Sequence, residues 1–249
     1  MKRLLLFCLA IVGAPLVWVF GYCFLKTLAV DLLDAPFWTY YRTCFISGCV
    51  VMFGLYATLG RRFSVLYVFA HEMTHAIVGL LCFARIHCMS IRETGGLVQL
   101  SKTNLAITLS PYCVPFYLLI GIGCYGLQQL LVPDLIPFSV WSFLFGMATV
   151  FHVCFTADAL LSVSQPDTHE YGRLFSWWLI LVTNLFFALV ALTVTSPRYT
   201  LLKQGVQVVQ ETYSTYHVIY QKGYALTQHV MGVIVKPSSA SKSTERTRR

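Results

Sequence analysis

The chain has 249 residues, of which 57% are hydrophobic and 11% are charged, with a formal net charge of +8, and its mean hydropathy is +0.68. Soluble domains carry about 25% charged residues, so this composition excludes an ordinary soluble globular protein and indicates an integral membrane protein. The apolar runs are continuous rather than short and alternating, which also excludes a transmembrane β-barrel.

The first three apolar runs predict three membrane-spanning helices. The N-terminal run, Leu4 to Leu25, has about 22 residues, which is enough to cross the hydrocarbon core, so we interpret it as an uncleaved helix rather than a signal peptide. The second run extends from about Thr43 to Leu59 and the third from about Phe63 to Ala84.

The segment from Arg85 to Asn104 is too polar to span a membrane, because it contains four charged residues. Polar and apolar residues alternate before Gly95-Gly96, and a short apolar stretch follows, a pattern typical of a β-hairpin with the two glycines at the turn. The backbone of such a hairpin cannot face lipid. We therefore expect it at the membrane surface or in a water-filled cavity.

Three further apolar runs predict three more spans, at about Leu105 to Val132, Ile136 to Val163 and Leu174 to Thr195. Pro111 and Pro115 predict a kink or a break near the start of the first of these. The predicted fold is an all-α membrane protein with about six transmembrane helices, a small β-hairpin after the third helix and a C-terminal amphipathic helix.

The chain changes character after Pro197. Apolar and aromatic residues recur every three or four positions from Leu202 onward, which predicts an amphipathic helix that ends near Val235 and lies on the membrane or packs across the bundle. The last 14 residues hold five Lys/Arg and one Glu. Their composition predicts a disordered tail, and with the basic N-terminus it indicates that both termini are cytoplasmic.

No aromatic-interleaved basic surface accompanies these charges, so nucleic acid is not an expected partner. The predicted domains are a multi-pass membrane domain (1–196), the amphipathic helix (197–235) and the basic tail (236–249).

The third apolar run carries the motif His71-Glu72-Met73-Thr74-His75 in its first half. A helix places residues four apart on one face, so the two imidazoles point the same way. This arrangement suits Zn²⁺, with Glu72 as the general base on the water that the ion activates. Ionised side chains inside a bilayer are costly, and no Lys or Arg lies in the same run. A metal ion supplies the missing positive charge, so the membrane setting favours a zinc site over a chance match.

The stretch AHEMTHAIVGLL, Ala70 to Leu81, followed by a polar hairpin, resembles the site-2 protease family of intramembrane zinc metalloproteases. The resemblance covers about residues 63–195, and it implies that His71 and His75 are zinc ligands and Glu72 is the general base. In that family the third ligand is an Asp in an N-x-x-P-x-x-x-L-D-G motif at the start of a later membrane helix. This chain has no such motif.

Three residues are candidates for the third ligand. Asp167 precedes the last span, and its place at the start of a helix resembles that of the family's Asp. His152 lies in the fifth run and falls near the depth of the motif histidines if successive spans alternate, because the third and fifth spans then run parallel. Asp158 is expected in an outer, hydrogen-bonding role or at a helix end. If every apolar run crosses the membrane once, Asp167 lies on the opposite side of the membrane from the motif histidines. It can reach them only if the segment after Arg85 is re-entrant or a helix is broken. Both His₂Asp and His₃ leave a fourth position for water.

The sequence therefore predicts a zinc metalloendopeptidase that hydrolyses a peptide bond of a membrane-embedded protein substrate. Such a substrate is helical and must unwind before water can attack it. An edge strand such as Leu97 to Leu100 would hold it extended by β-augmentation, although a plain surface hairpin fits the same pattern. The alternative function is a non-proteolytic membrane scaffold, or a metal-binding or transport protein, derived from the same fold.

Overall fold

The computed structural model describes residues 2–33, 40–92, 95–162, 166–195 and 200–235. Within these ranges the chain is almost entirely helical, with one two-stranded antiparallel sheet. A 3₁₀ turn, Gly60–Phe63, joins the second helix to the third. The helices are α1 (Lys2–Leu33), α2 (Tyr40–Leu59), α3 (Ser64–Leu81), α4 (Leu105–Cys113), α5 (Phe116–Leu131), α6 (Phe138–Ser162), α7 (Pro166–Glu170), α8 (Arg173–Val194) and α9 (Leu201–Val235), and the strands are β1 (Ile86–Arg92) and β2 (Gly95–Leu100).

Among the described helices, five are long and apolar enough to cross a membrane: α1, α2, α3, α6 and α8. Helices α4 and α5 pass the same test together, but they are bent by 79°. The break falls at Val114 and Pro115, because proline lacks an N–H and restricts the residue before it to extended backbone, here with ψ of 111° at Val114. Pro111 lies inside α4. The predicted all-α membrane fold is confirmed, with five or six spans.

Helices α2 and α6 run side by side in the same direction. Near their starts, a Cβ added at Gly146 would lie 3.0 Å from the carbonyl carbon of Phe45, so the two backbones touch. Near their ends, the rings of Tyr56 and Phe155 are 5.2 Å apart. Phe155 also stacks on Tyr67 of α3 at 5.6 Å. Since Tyr56 and Tyr67 lie on opposite sides of the short α2–α3 turn, α3 runs against both α2 and α6.

The segment between α3 and α6 is therefore re-entrant. Helix α3 ends on the side of the bundle where α6 begins, so the bent α4–α5 pair must leave from and return to that side. The third and fifth spans therefore do not run parallel, as simple alternation of the spans would require, because the run 105–132 reverses near Pro115. The alternative expectation of a broken helix and a re-entrant segment agrees with the structure. This reversal brings the end of α6 and the start of α7 to the N-terminal half of α3.

The hairpin lies along α3. Its register pairs Arg92 with Gly95 and Ile91 with Gly96, so the two glycines belong to β2, and the prediction that they form the turn is wrong. Residues 93–94, between the strands, lie outside the described residues. Gly95 has φ of 147°, which favours glycine. A Cβ at Gly96 would lie 2.6 Å from Oε1 of Glu72, so glycine is needed there for close packing against α3.

Helix α9 lies along α1 in the opposite direction, which confirms the predicted amphipathic helix. The Thr27 hydroxyl donates to Gln204 Oε1 at 3.2 Å, and further along α9 the Tyr216 hydroxyl donates to the Val12 carbonyl at 2.6 Å. Gln204 is buried, whereas the side of α9 turned away from α1 is exposed and carries many apolar and aromatic residues together with Lys203 and Lys222. The basic tail predicted at 236–249 lies outside the described residues. The exposed apolar and aromatic residues include Leu202, Val206, Val209, Tyr213, Tyr220 and Tyr224.

Candidate metal centre

Helix α3 carries both motif histidines on one face, as their four-residue spacing requires. The ring centroids of His71 and His75 are 4.9 Å apart. Glu72 lies between them in sequence and is buried, with 8% of its surface exposed. The helix therefore presents two imidazoles together and keeps the carboxylate of the motif out of contact with lipid.

Asp167, in the single turn of α7, faces both histidines. Its Oδ2 lies 3.8 Å from Nε2 of His71 and 3.8 Å from Nε2 of His75. In the described part of the chain, these three residues form the group of His, Cys, Asp or Glu whose ligand atoms all lie within 4.8 Å of one another. Zinc bonds of about 2.0 to 2.2 Å in a tetrahedron separate ligand atoms by about 3.3 to 3.6 Å, so the three atoms need little movement to share one ion.

The orientation of His75 is set by α4. Its Nδ1 lies 2.8 Å from the carbonyl oxygen of Ile107. A carbonyl only accepts, so Nδ1 carries the hydrogen and donates it, and the lone pair of Nε2 faces Asp167. Asn104 caps α4 by accepting a hydrogen bond from the Ile107 N–H at 2.9 Å. The cap thus fixes the turn that positions the histidine.

Asp167 is oriented by Tyr112, also on α4. The Tyr112 hydroxyl donates to Asp167 Oδ2 at 3.0 Å, and its ring meets the His71 ring edge-on at 5.1 Å. A second link, from the Thr108 hydroxyl to Glu170 Oε2 at 3.3 Å, ties α4 to α7. The sequence carries no specific signal for Tyr112, because its role depends on the reversal that brings α4 beside α3 and α7.

His152 lies beside the metal trio of His71, His75 and Asp167 but is not part of it. Its ring hydrogen-bonds to the backbone carbonyl of Tyr112, which also accepts from Asn184 Nδ2 at 2.8 Å. The end of α4 leaves this carbonyl without a helical partner, so the two side chains supply its hydrogen bonds. Asp158, near the end of α6, lines a separate cavity of about 770 Å³ together with Tyr67 and Arg62.

Glu72 is covered by β2. The backbone N–H of Val98 hydrogen-bonds to its carboxylate, and Gly96 packs directly against it. One face of the strand continues along α3, where a Cβ at Gly79 would lie 2.9 Å from a methyl group of Leu100. Because the Val98 N–H points to Glu72 rather than to β1, the outer edge of β2 faces Glu72.

No protein-family model, curated protein or solved structure matches this chain. The resemblance to site-2 proteases therefore stays a prediction from residues 70–81 and the hairpin that follows. The case for a function rests on the donor atoms of the metal trio, the buried Glu72 and the strand that covers it.

Proposed function

We propose that this protein is a zinc-dependent intramembrane metalloprotease that resembles the site-2 protease family. The observation that carries the proposal is the convergence of His71 Nε2, His75 Nε2 and Asp167 Oδ2 beside the buried carboxylate of Glu72. Two neutral imidazoles and one carboxylate are a donor set that Zn²⁺ prefers, and they leave one position of a tetrahedron open. The location of α3 among the apolar helices supports a substrate that is itself embedded in the membrane.

The chemistry divides between the ion and the protein. A Zn²⁺ ion held by the trio would lower the pKa of water and polarise the scissile carbonyl. Glu72 accepts one proton as the water oxygen bonds to the carbonyl carbon, and it passes that proton to the amine nitrogen as the C–N bond breaks. The Val98 N–H that now binds the carboxylate holds it in place between α3 and β2.

The outer edge of β2 supports a way to hold the substrate. A transmembrane helix presents no free backbone groups, so its peptide bonds are accessible only after local unwinding. An unwound segment that pairs with the β2 edge gains backbone hydrogen bonds next to Glu72, from groups of that edge other than the Val98 N–H, which Glu72 already binds. Leu97, which is exposed on this strand, offers an apolar contact to such a segment.

The decisive experiment compares two identical chemical changes at different places. The purified protein is reconstituted in liposomes with Zn²⁺ and a panel of single-span membrane proteins. We expect Glu72→Gln to abolish cleavage while the zinc content stays that of the wild type, because Gln cannot accept the proton. The control, Glu211→Gln, removes a carboxylate that pairs with Lys26 on the far side of α1, and it should cleave normally. Full cleavage by pure Glu72→Gln protein would exclude this mechanism.

The same preparation separates the alternative functions. Wild-type protein that binds zinc, cleaves no member of the panel and moves zinc across the vesicle membrane would favour a transporter. Wild-type protein that binds no zinc would favour a non-enzymatic scaffold.

A further inference from the structure

Three buried polar atoms near the metal centre have no hydrogen-bond partner in the described part of the chain: His71 Nδ1, His152 Nε2 and the Tyr67 hydroxyl. All three residues line one small cavity between α3, the α4–α5 break and α6. The volume of this cavity is about 10 Å³. Water needs at least about 10 to 15 Å³ of such volume and two to four polar partners, so the cavity has the size and the lining to hold one water molecule.

The donors and acceptors around the cavity are complementary to a single water. His71 must keep the lone pair of Nε2 for the metal, so its Nδ1 carries a hydrogen and needs an acceptor. His152 already uses one ring nitrogen to donate to the Tyr112 carbonyl, so its Nε2 is an acceptor and needs a donor. Water accepts from His71, donates to His152, and has one donor and one acceptor site left for the hydroxyl of Tyr67.

The two motif histidines differ in what holds them. The Nδ1–H of His75 donates to the Ile107 carbonyl at 2.8 Å, whereas a second protein partner of this kind is absent for His71 among the described residues. Histidines that bind a metal almost always donate their other N–H to a neighbouring acceptor, which fixes the tautomer and the ring orientation. His71 lines the cavity, so an acceptor placed in the cavity could receive its Nδ1 hydrogen.

We propose that a buried water molecule, held by His152 and Tyr67, accepts the Nδ1 hydrogen of His71 and orients this ligand toward the metal. The inference rests on the proposed function, because the orientation serves the zinc ion. His152 and Tyr67 are then positioning residues: they act on the ion through the water and through His71.

The test is zinc affinity, measured by chelator competition on the purified full-length protein. Tyr67→Phe removes one hydroxyl and keeps the ring that stacks on Phe155 at 5.6 Å. We expect it to bind zinc about 10-fold more weakly, the lower end of what such outer partners cost, with the unfolding temperature of the metal-free protein unchanged. In the Co²⁺-substituted variant, the visible absorption bands should shift, because the geometry at the ion changes.

Tyr117→Phe is the matched control. Tyr117 lines the same cavity, but its hydroxyl donates to the Leu66 carbonyl at 2.8 Å, so its loss should leave zinc affinity and the Co²⁺ spectrum unchanged. His152→Leu is the second test variant, and it should weaken zinc binding at least as much as Tyr67→Phe.

Two results would overturn the inference. The first is wild-type zinc affinity in both Tyr67→Phe and His152→Leu, which leaves the proposed protease activity standing. The second is a density map of the metal-free protein that shows ordered water elsewhere in the interior but none in this cavity, a readout that does not depend on zinc. Failure of the wild type to bind zinc would instead contradict the proposed function, and the map would then decide the inference alone.

Discussion

Two residues of the metal trio, His75 and Asp167, are held by different kinds of partner. A backbone carbonyl of α4 orients His75, and a phenol of α4 orients Asp167. The partners come from the re-entrant helix rather than from α3, which carries the motif. The motif on α3 therefore provides the two imidazoles, and the re-entrant segment provides the groups that orient the ligand side chains.

The surroundings of Glu72 leave little room for change. A Cβ at Gly96 would lie 2.6 Å from its Oε1 and 2.7 Å from its carboxyl carbon, so Gly96→Ala must displace the carboxylate. We expect cleavage to fall on the order of 100-fold, because small misplacements of catalytic groups have effects of this size. Zinc affinity should stay that of the wild type, since the trio is not touched. The measurement is the cleavage rate in liposomes together with zinc content.

Gly123→Ala provides the comparison, because a Cβ at Gly123 has nothing within 4 Å, and its cleavage rate should equal that of the wild type. An active Gly96→Ala protein would show that the observed position of β2 is not the one used in catalysis.

The four-residue spacing of the motif was enough to predict that His71 and His75 share a face. It was not enough to choose between Asp167 and His152, because both lie near the motif in the folded chain. The structure separates them by distance, since Asp167 Oδ2 lies 3.8 Å from both imidazoles and His152 is not part of that group. The ring of His152 bonds to a carbonyl freed at the end of α4, and no sequence pattern marks such a carbonyl. The prediction that Gly95 and Gly96 form the turn is wrong for a related reason. Gly96 packs against the side chain of Glu72, which is 24 positions away in the sequence, and is not part of a local turn.

At the level of elements, the closest contact is between α2 and α6. A Cβ at Gly48 would lie 2.9 Å from the carbonyl carbon of Phe143, and one at Gly146 would lie 3.1 Å from the amide nitrogen of Cys49. These neighbours are backbone atoms, which cannot rotate away. Small residues that let helix backbones approach are typical of packing inside membranes, where burial of apolar surface from water is not available as a driving force.

We therefore expect Gly146→Ala to lower the free energy of unfolding by about 1 to 3 kcal/mol, the usual cost of overpacking. The measurement is denaturant unfolding in detergent micelles. Gly126→Ala, on α5 with nothing within 4 Å of the new Cβ, should unfold at or slightly above the wild-type midpoint. Equal midpoints for the two variants would contradict the close α2–α6 contact.

Because length and apolar content are local properties, hydropathy located the apolar helices within a few residues, except that the first helix continues to Leu33 rather than ending at Leu25. It could not determine their directions. The run from Leu105 to Val132 is long enough to cross, and only the contacts of Tyr56, Tyr67 and Phe155 show that α6 opposes α3. Re-entrance depends on how the break at Pro115 packs against its neighbours, which composition does not encode.

At the scale of the whole molecule, α9 is an amphipathic helix that lies along α1 in the opposite direction. Its polar side faces α1, where Glu211 pairs with Lys26 at 3.3 Å, while Tyr213 on the opposite side is 73% exposed. Lys203 and Lys222, the other two charged residues of α9, are exposed. At about 1.5 Å per residue, its 35 residues extend about 52 Å, more than the hydrocarbon thickness of about 30 Å.

This arrangement predicts that both termini face the same side. Helices α1 and α8 are parallel, as the contacts of Gly13 with Trp178 and of Phe20 with Phe186 show, so the chain leaves α8 on the side opposite the N-terminus. Helix α9 then runs back along α1. In vesicles of known orientation, tags at the two ends should be digested by protease from one side only, and from the same side. Tags exposed on opposite sides would contradict the packing of α9 along α1 in the opposite direction.

The contact between Glu72 and Gly96 also has an evolutionary consequence. Two positions that fill one space cannot change independently, so a lineage that keeps the acid at 72 is constrained to keep glycine at 96. A lineage that loses the acid is released from that constraint, and side chains should accumulate at position 96. If the proposed function holds, a homologue with a substituted glycine at this position is expected to have lost hydrolysis, and its sequence would show this before any assay is run.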